Sequence, residues 1–74
     1  MERVTIEDEI IDILEEILAL PSDGCVNSAL HGLNHLHPNP RAISVVTQYL
    51  EMNRSRMSSE QIRWVSAVRD GLAL

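Results

Sequence analysis

His31 and His35 are the side chains in this chain whose type and spacing come nearest to a reactive centre. Four residues apart on a helix, two imidazoles share one face and could bridge a zinc or nickel ion. A working centre needs further ligands, and the same side of the helix offers only Asn27, Ser28 and Asn34, poor ligands for such ions. His37 is expected to project to the apolar side, near the following turn, and Gly32 after His31 rules out an HExxH pattern. Metal binding or sensing through His31 and His35 is therefore the lesser reading. The greater is that both are surface or interface side chains, hydrogen-bonded across a helical hairpin. Cys25 sits at a helix start, where the dipole favours a thiolate. It lies six and ten residues before the two imidazoles, on a different side of the helix, and a lone cysteine is more often a small buried hydrophobe. The chain has no CxxC, no glycine-rich phosphate loop and no carboxylate pair beyond chance. These absences point away from an enzyme, and no cofactor or resident metal is expected.

The charge is uneven. The net charge is −5, and residues 1–24 hold eight acids against Arg3, while residues 25–74 hold only Glu51, Glu60 and Asp70 against five arginines. An acidic chain is a poor ligand for nucleic acid. Asp8, Asp12, Glu15 and Glu16 read as the solvated side of an amphipathic helix, or as an acidic face that docks a basic partner in the manner of an immunity or antitoxin protein. Arg54, Arg56, Arg63 and Arg69 make a loosely basic C-terminal region. They are expected to meet the acidic face across a symmetric interface or to pair with Glu60 and Asp70. A single cysteine precludes an intramolecular disulfide and suits the cytoplasm. The N-terminal residues lack a signal-peptide pattern, and no apolar run approaches the ~18 residues of a membrane span.

The elements that must position these side chains are four helices, at about 5–20, 24–37, 40–53 and 59–70, with Met1–Arg3 as a short lead-in. Thr5 with Asp8 three residues on resembles a capping box, and Glu7, Asp8 and Glu9 favour the helix dipole. Ile6, Ile10, Ile13, Leu14, Ile17 and Leu18 form the apolar face of this first helix, with Ile11 at its edge. Pro21 ends it, and Ser22 or Asp23 caps the second. There Val26, Ala29, Leu30, Leu33 and Leu36 fall on one side, and Gly32, which weakens a helix by about 1 kcal/mol relative to alanine, implies close approach by another helix. Pro38 and Pro40 bracket Asn39, so one helix stops near His37 and the next starts at once, capped by Asn39 with Pro40 in its first turn. A connection this short makes the second and third helices an antiparallel pair, against which the outer helices lie. In the third, Ala42, Ile43, Val45, Val46, Tyr49, Leu50 and Met52 cover more than half the circumference and call for neighbours on two sides. Residues 53–57 read as a polar loop. Ser58 and Gln61 form a second capping-box pattern, Trp64, Val65, Val68 and Leu72 lie on one side of the fourth helix, and Gly71 is placed to stop it.

The run SALHGLNHLHPNPRAISVVTQYL, preceded by IIDILEEILALPSDGCV, resembles the helical-hairpin repeats of the HEAT type found in some bacterial proteins, over roughly residues 10–52. The resemblance implies an all-α fold of two antiparallel hairpins in a HEAT-like right-handed stack, and a scaffold that binds other proteins. Such arrays are normally much longer. With 74 residues the chain makes one small domain that buries only about 60% of its unfolded surface, and about three repeat units are usually needed for a stable stack. Self-association is therefore expected, as a two-fold homodimer. His31, His35, Asp12, Glu16, Arg54 and Arg56 are the candidate partner-binding residues of this non-catalytic interaction module.

Overall fold

Four local signals start the helices, and each is realised in the computed structural model, which describes residues 5–73. The lead-in Met1–Arg3 lies outside the described residues. α1 spans Ile6–Leu18, and the Thr5 side chain accepts from the Asp8 backbone while Asp8 reaches back to the Thr5 N–H. α2 spans Asp23–His35 with Ser22 as its cap. α3 spans Pro40–Asn53, and Asn39 accepts from the N–H groups of Arg41 and Ala42. α4 spans Ser59–Arg69, opened by a reciprocal Ser58–Gln61 box. Each cap satisfies backbone donors that the first helical turn leaves free. Among the described residues there is no strand, and no helix is long and apolar enough to cross a membrane.

The pairing of helices departs from the expected order. α1 packs chiefly on α2 and α3 on α4, while α2 and α3, on either side of the Pro38–Pro40 turn, share a more limited contact. The reason lies on α2. Its Gly32 lets α1 come close: a Cβ at that position would lie 3.1 Å from a Leu14 methyl. Its polar side stays largely exposed, but His31 at one edge meets Trp64 of α4 and Asn34 meets Ala73 beyond that helix. The two pairs then close over Ile11, Leu30, Leu33, Ala42, Val45, Val46, Leu50, Val65 and Val68. No aromatic ring belongs to this buried set.

The buried face of α1 also differs from the expected one. Ile11, placed at the edge from sequence, is fully buried, with Leu14 and Leu18 half-buried beside it, whereas Ile6 is 77%, Ile10 40% and Ile13 56% exposed. The apolar arc of α1 is wider than the core it meets. α2 and α3 approach on the Ile11–Leu14–Leu18 side, leaving the rest of the arc bare. Further along, Met52 stays exposed at the far edge of α3. Residues Arg54–Arg56 form a single 3-10 turn, and Met57 after it is not part of a solvated loop but packs against the core.

The chain end is fixed by a turn of Schellman type. Gly71 adopts φ 74°, its N–H donates to the Val68 carbonyl at 3.1 Å and the Leu72 N–H to the Ala67 carbonyl at 2.8 Å. The chain therefore leaves the helix before Leu72, which is exposed rather than aligned with Val65 and Val68. Ala73 then returns to α2, where the Asn34 side chain donates to its carbonyl at 2.8 Å and accepts from its N–H at 3.3 Å.

Candidate functional site

The acidic side of α1 is bound first by its own chain. Arg41, in the first turn of α3, donates to the Asp8 carbonyl at 3.0 Å and to the Asp12 carboxylate, and lies 4.0 Å from the Asp8 carboxylate. Beside it the Asn39 amide donates to Glu7 at 3.0 Å. These contacts pin the start of α3 across α1, so Asp12, a candidate partner residue, already holds a cation while remaining more than half exposed. Arg41 was not among the residues singled out from sequence. Its place directly after Asn39-Pro40 marks it as a first-turn residue, but only the packing of α1 on α3 brings the carboxylates to it. Of the C-terminal arginines, Arg69 pairs with its neighbour Asp70 at 3.2 Å and Arg56 donates to Asn53 at 2.6 Å. Within the chain, then, the acids of α1 are met by Arg41.

The Asp8 carboxylate is held below the usual carboxylate range because the Thr5 hydroxyl and the Thr5 N–H donate to it; Arg41 nearby adds to the effect and partial burial opposes it. A depressed carboxylate contributes stability in full above its unfolded value, about 3.9 for aspartate, and loses it as the pH falls through the folded value. Asp8→Asn is expected to lower the melting temperature at pH 7 relative to the native chain. The difference should shrink as melts are repeated from pH 4 downwards, and a gap unchanged at pH 2.5 would contradict this role.

The Arg41 guanidinium is shifted upwards, first by its hydrogen bond to Asp12. It stays charged across the whole accessible pH range.

His31 and His35 lie on the exposed side of α2. The His31 ring meets the edge of Trp64, with centroids 5.2 Å apart and planes at 66°. This is a favourable aromatic arrangement, in place of the hydrogen bonds expected across a hairpin. Asn27, Glu60 and Gln61 complete a shallow recess around the two rings. Among the described residues no group of three or more histidine, cysteine or acidic side chains is gathered closely enough to hold a metal ion. Cys25 is exposed, not a buried hydrophobe. It falls in the first turn of α2. His37 is exposed too, with its ring lying over Gly71 at the chain end instead of in the apolar interior.

Glu16 is exposed on α1, and Arg54 and Arg56 on the 3-10 turn. Arg56 borders a groove of about 630 Å³ whose walls include Leu20, Val26, Tyr49, Met52 and Met57. Sequence reasoning did not assemble this groove, because its walls come from all four α-helices and the 3-10 turn.

The most prominent surface feature is the uncovered part of α1. Ile6, Ile10 and Ile13 are exposed, and with the half-buried Ile17 they recur at steps of four, three and four, a spacing that holds side chains in one row along a helix. Glu9 and Glu16 run along one edge of this row. The chain matches no family model, and neither a curated protein nor a solved structure is significantly similar to it.

Proposed function

We propose that this chain is a small non-catalytic protein–protein interaction module, built of two helical hairpins stacked in HEAT-like fashion, that self-associates through the exposed isoleucine row of α1. The observation that carries this reading is the exposure of Ile6, Ile10 and Ile13 in a single row on a strongly amphipathic helix. Scattered surface hydrophobes need no explanation, but a contiguous apolar stripe rimmed by charge marks a contact surface. In a repeat array a neighbouring repeat covers such a stripe, and a second copy of this chain would cover it in the same way.

The expected result is a dimer by sedimentation equilibrium or by light scattering across a concentration series, and a monomer with unchanged helical content for Ile13→Glu. Burying a carboxylate in the dimer contact should weaken association by at least 100-fold, equivalent to about 2.7 kcal/mol. A native chain that remains monomeric at every concentration would remove this reading.

Glu9 and Glu16 beside the row favour a second reading, in which a basic helix of another protein takes the place of the second copy. Steep loss of binding to such a partner with added salt would distinguish it.

A further inference from the structure

Two depressions on the surface meet at one side chain, and no residue of the isoleucine row lines either of them. The larger is the groove of about 630 Å³, with Leu18, Tyr49, Met52 and Met57 among its apolar walls. It lies beside the C-terminal halves of α1 and α3, beyond the Arg41 and Asn39 contacts that pin the starts of those helices. The smaller is the recess of about 340 Å³ around His31 and Trp64. Gln61 borders both. On α2, Asp23 borders the groove and Asn27, one turn further on, borders the recess. The two depressions are therefore parts of one continuous surface.

Their chemistry differs. Methionine walls suit an apolar side chain of another molecule, because the unbranched thioether adapts its shape, and Met52 is 78% exposed. The recess suits a flat cation. Trp64 is half-buried with the His31 ring set against it, and indole is the best of the aromatic faces for a positive charge. The Glu60 carboxylate and the Asn27 amide oxygen border the recess as acceptors, while the Gln61 amide oxygen already accepts from the Ser58 N–H. Charge points the same way. Glu15, Asp23 and Glu60 border the combined surface, all exposed, and none forms an ion pair among the described residues, although Glu15 lies within the field of Arg41. The one arginine among the lining residues, Arg56, donates to Asn53 at the 3-10 turn. Arg63, next to Trp64 in sequence, lines neither depression. The border thus carries three negative charges against one positive with His31 neutral, and three against two with His31 protonated.

We propose that this surface docks an arginine-bearing amphipathic helix of another protein, with an apolar side chain in the methionine groove and the guanidinium against Trp64, donating to Glu60. Arginine fits better than lysine, because its planar guanidinium stacks on an aromatic face and donates to a carboxylate through two nitrogens at once. An acidic segment is disfavoured by the negative border. From Asp23 to His31 the surface follows two turns of α2, about 12 Å. The apolar residue and the arginine of the partner therefore stand about seven residues apart, two turns of its own helix. The site is separate from the isoleucine row and does not depend on self-association, so the chain would engage a second copy and a basic partner at the same time.

The probe is a fluorescein-labelled synthetic helix with leucine and arginine seven residues apart, titrated with the full chain and followed by fluorescence anisotropy. Saturable binding is expected at one peptide per chain. Glu60→Gln should weaken it about threefold to fivefold, as for an exposed ion pair, and Met52→Ser about tenfold, through lost apolar burial. Both residues are exposed, so neither change should disturb folding. Glu9→Gln removes the same charge from the far side of α1 and should change binding less than twofold. Equal losses for Glu9→Gln and Glu60→Gln would reduce the attraction to diffuse charge and overturn the site. Binding lost with Ile10→Ser but kept with Glu60→Gln would move the basic helix to the isoleucine row, which overturns it too. So would equal binding of a probe with glutamate in place of arginine, or no binding at millimolar chain. The oligomeric state does not enter these comparisons, so failure here is distinguishable from failure of self-association.

Discussion

Truncating Ile11 to alanine is expected to cost about 2–5 kcal/mol, the range for removing a large aliphatic side chain from a close-packed core. A chain of this length commands only about 4–11 kcal/mol in total, so the variant should unfold at markedly lower denaturant or be largely unfolded at 37 °C. Ile11 is fully buried and sits in the middle of the shared core, where the surrounding side chains cannot collapse into the vacated space without losing their own contacts. Ile13, two positions on and of identical chemistry, is 56% exposed. Measured at concentrations low enough to keep the chain monomeric, Ile13→Ala should cost no more than about 0.5 kcal/mol, as for surface substitutions in general. Urea titrations of the two variants side by side make the comparison. Equal losses would mean that α1 is rotated from the orientation described here.

Gly71→Ala should be the most damaging substitution outside the core. The residue occupies the left-handed region at φ 74°, which costs an L-residue about 1–2 kcal/mol. An added Cβ would also fall 2.5 Å from the His37 ring, and forcing a side chain out of a packed contact adds about 1–3 kcal/mol. The two contributions are separable. His37→Ala removes the ring atoms, though its own Cβ would still lie 2.9 Å from the added one, so the double variant should recover much of the steric part of the loss but not the backbone part. Thermal melts of both single variants and the double variant measure this. Full recovery would show that the backbone conformation had relaxed at little cost. The same segment carries the Asn34–Ala73 hydrogen bonds, so the loss should be accompanied by release of the C-terminal residues from α2.

Much of the local structure was legible from individual residues. Thr5, Ser22, Asn39 and Ser58 mark helix starts because a short polar side chain can satisfy amides that the first turn leaves free. Gly71 marks a stop because only glycine adopts its φ without strain. Gly32 announced a close helix contact, and Leu14 provides it. These signals act over three or four residues, within reach of the sequence itself. The candidate site was legible only in part. The sequence placed His31 and His35 on one exposed face and identified α1 as acidic on one side and apolar on the other. It gave no sign that Arg41 would hold Asp8 and Asp12, that Cys25 would be exposed, or that His31 would meet Trp64, since each depends on which helices become neighbours.

The sequence by itself determined an all-α chain of four helices, their caps and breaks, and the strong amphipathic character of the first, because capping, proline chemistry and periodicity are local. Tertiary structure alone decided which part of the apolar arc of α1 is buried. Seven isoleucines and leucines span the arc, and their spacing puts Ile10 and Ile13 within it and Ile11 at its edge, the reverse of the order in which packing buries them. That choice is made by the angle at which α2 and α3 approach, which is set by Gly32 against Leu14 on one side and by Arg41 on the other. It leaves three isoleucines facing outwards, and on them the reading of this protein as a partner-binding module depends.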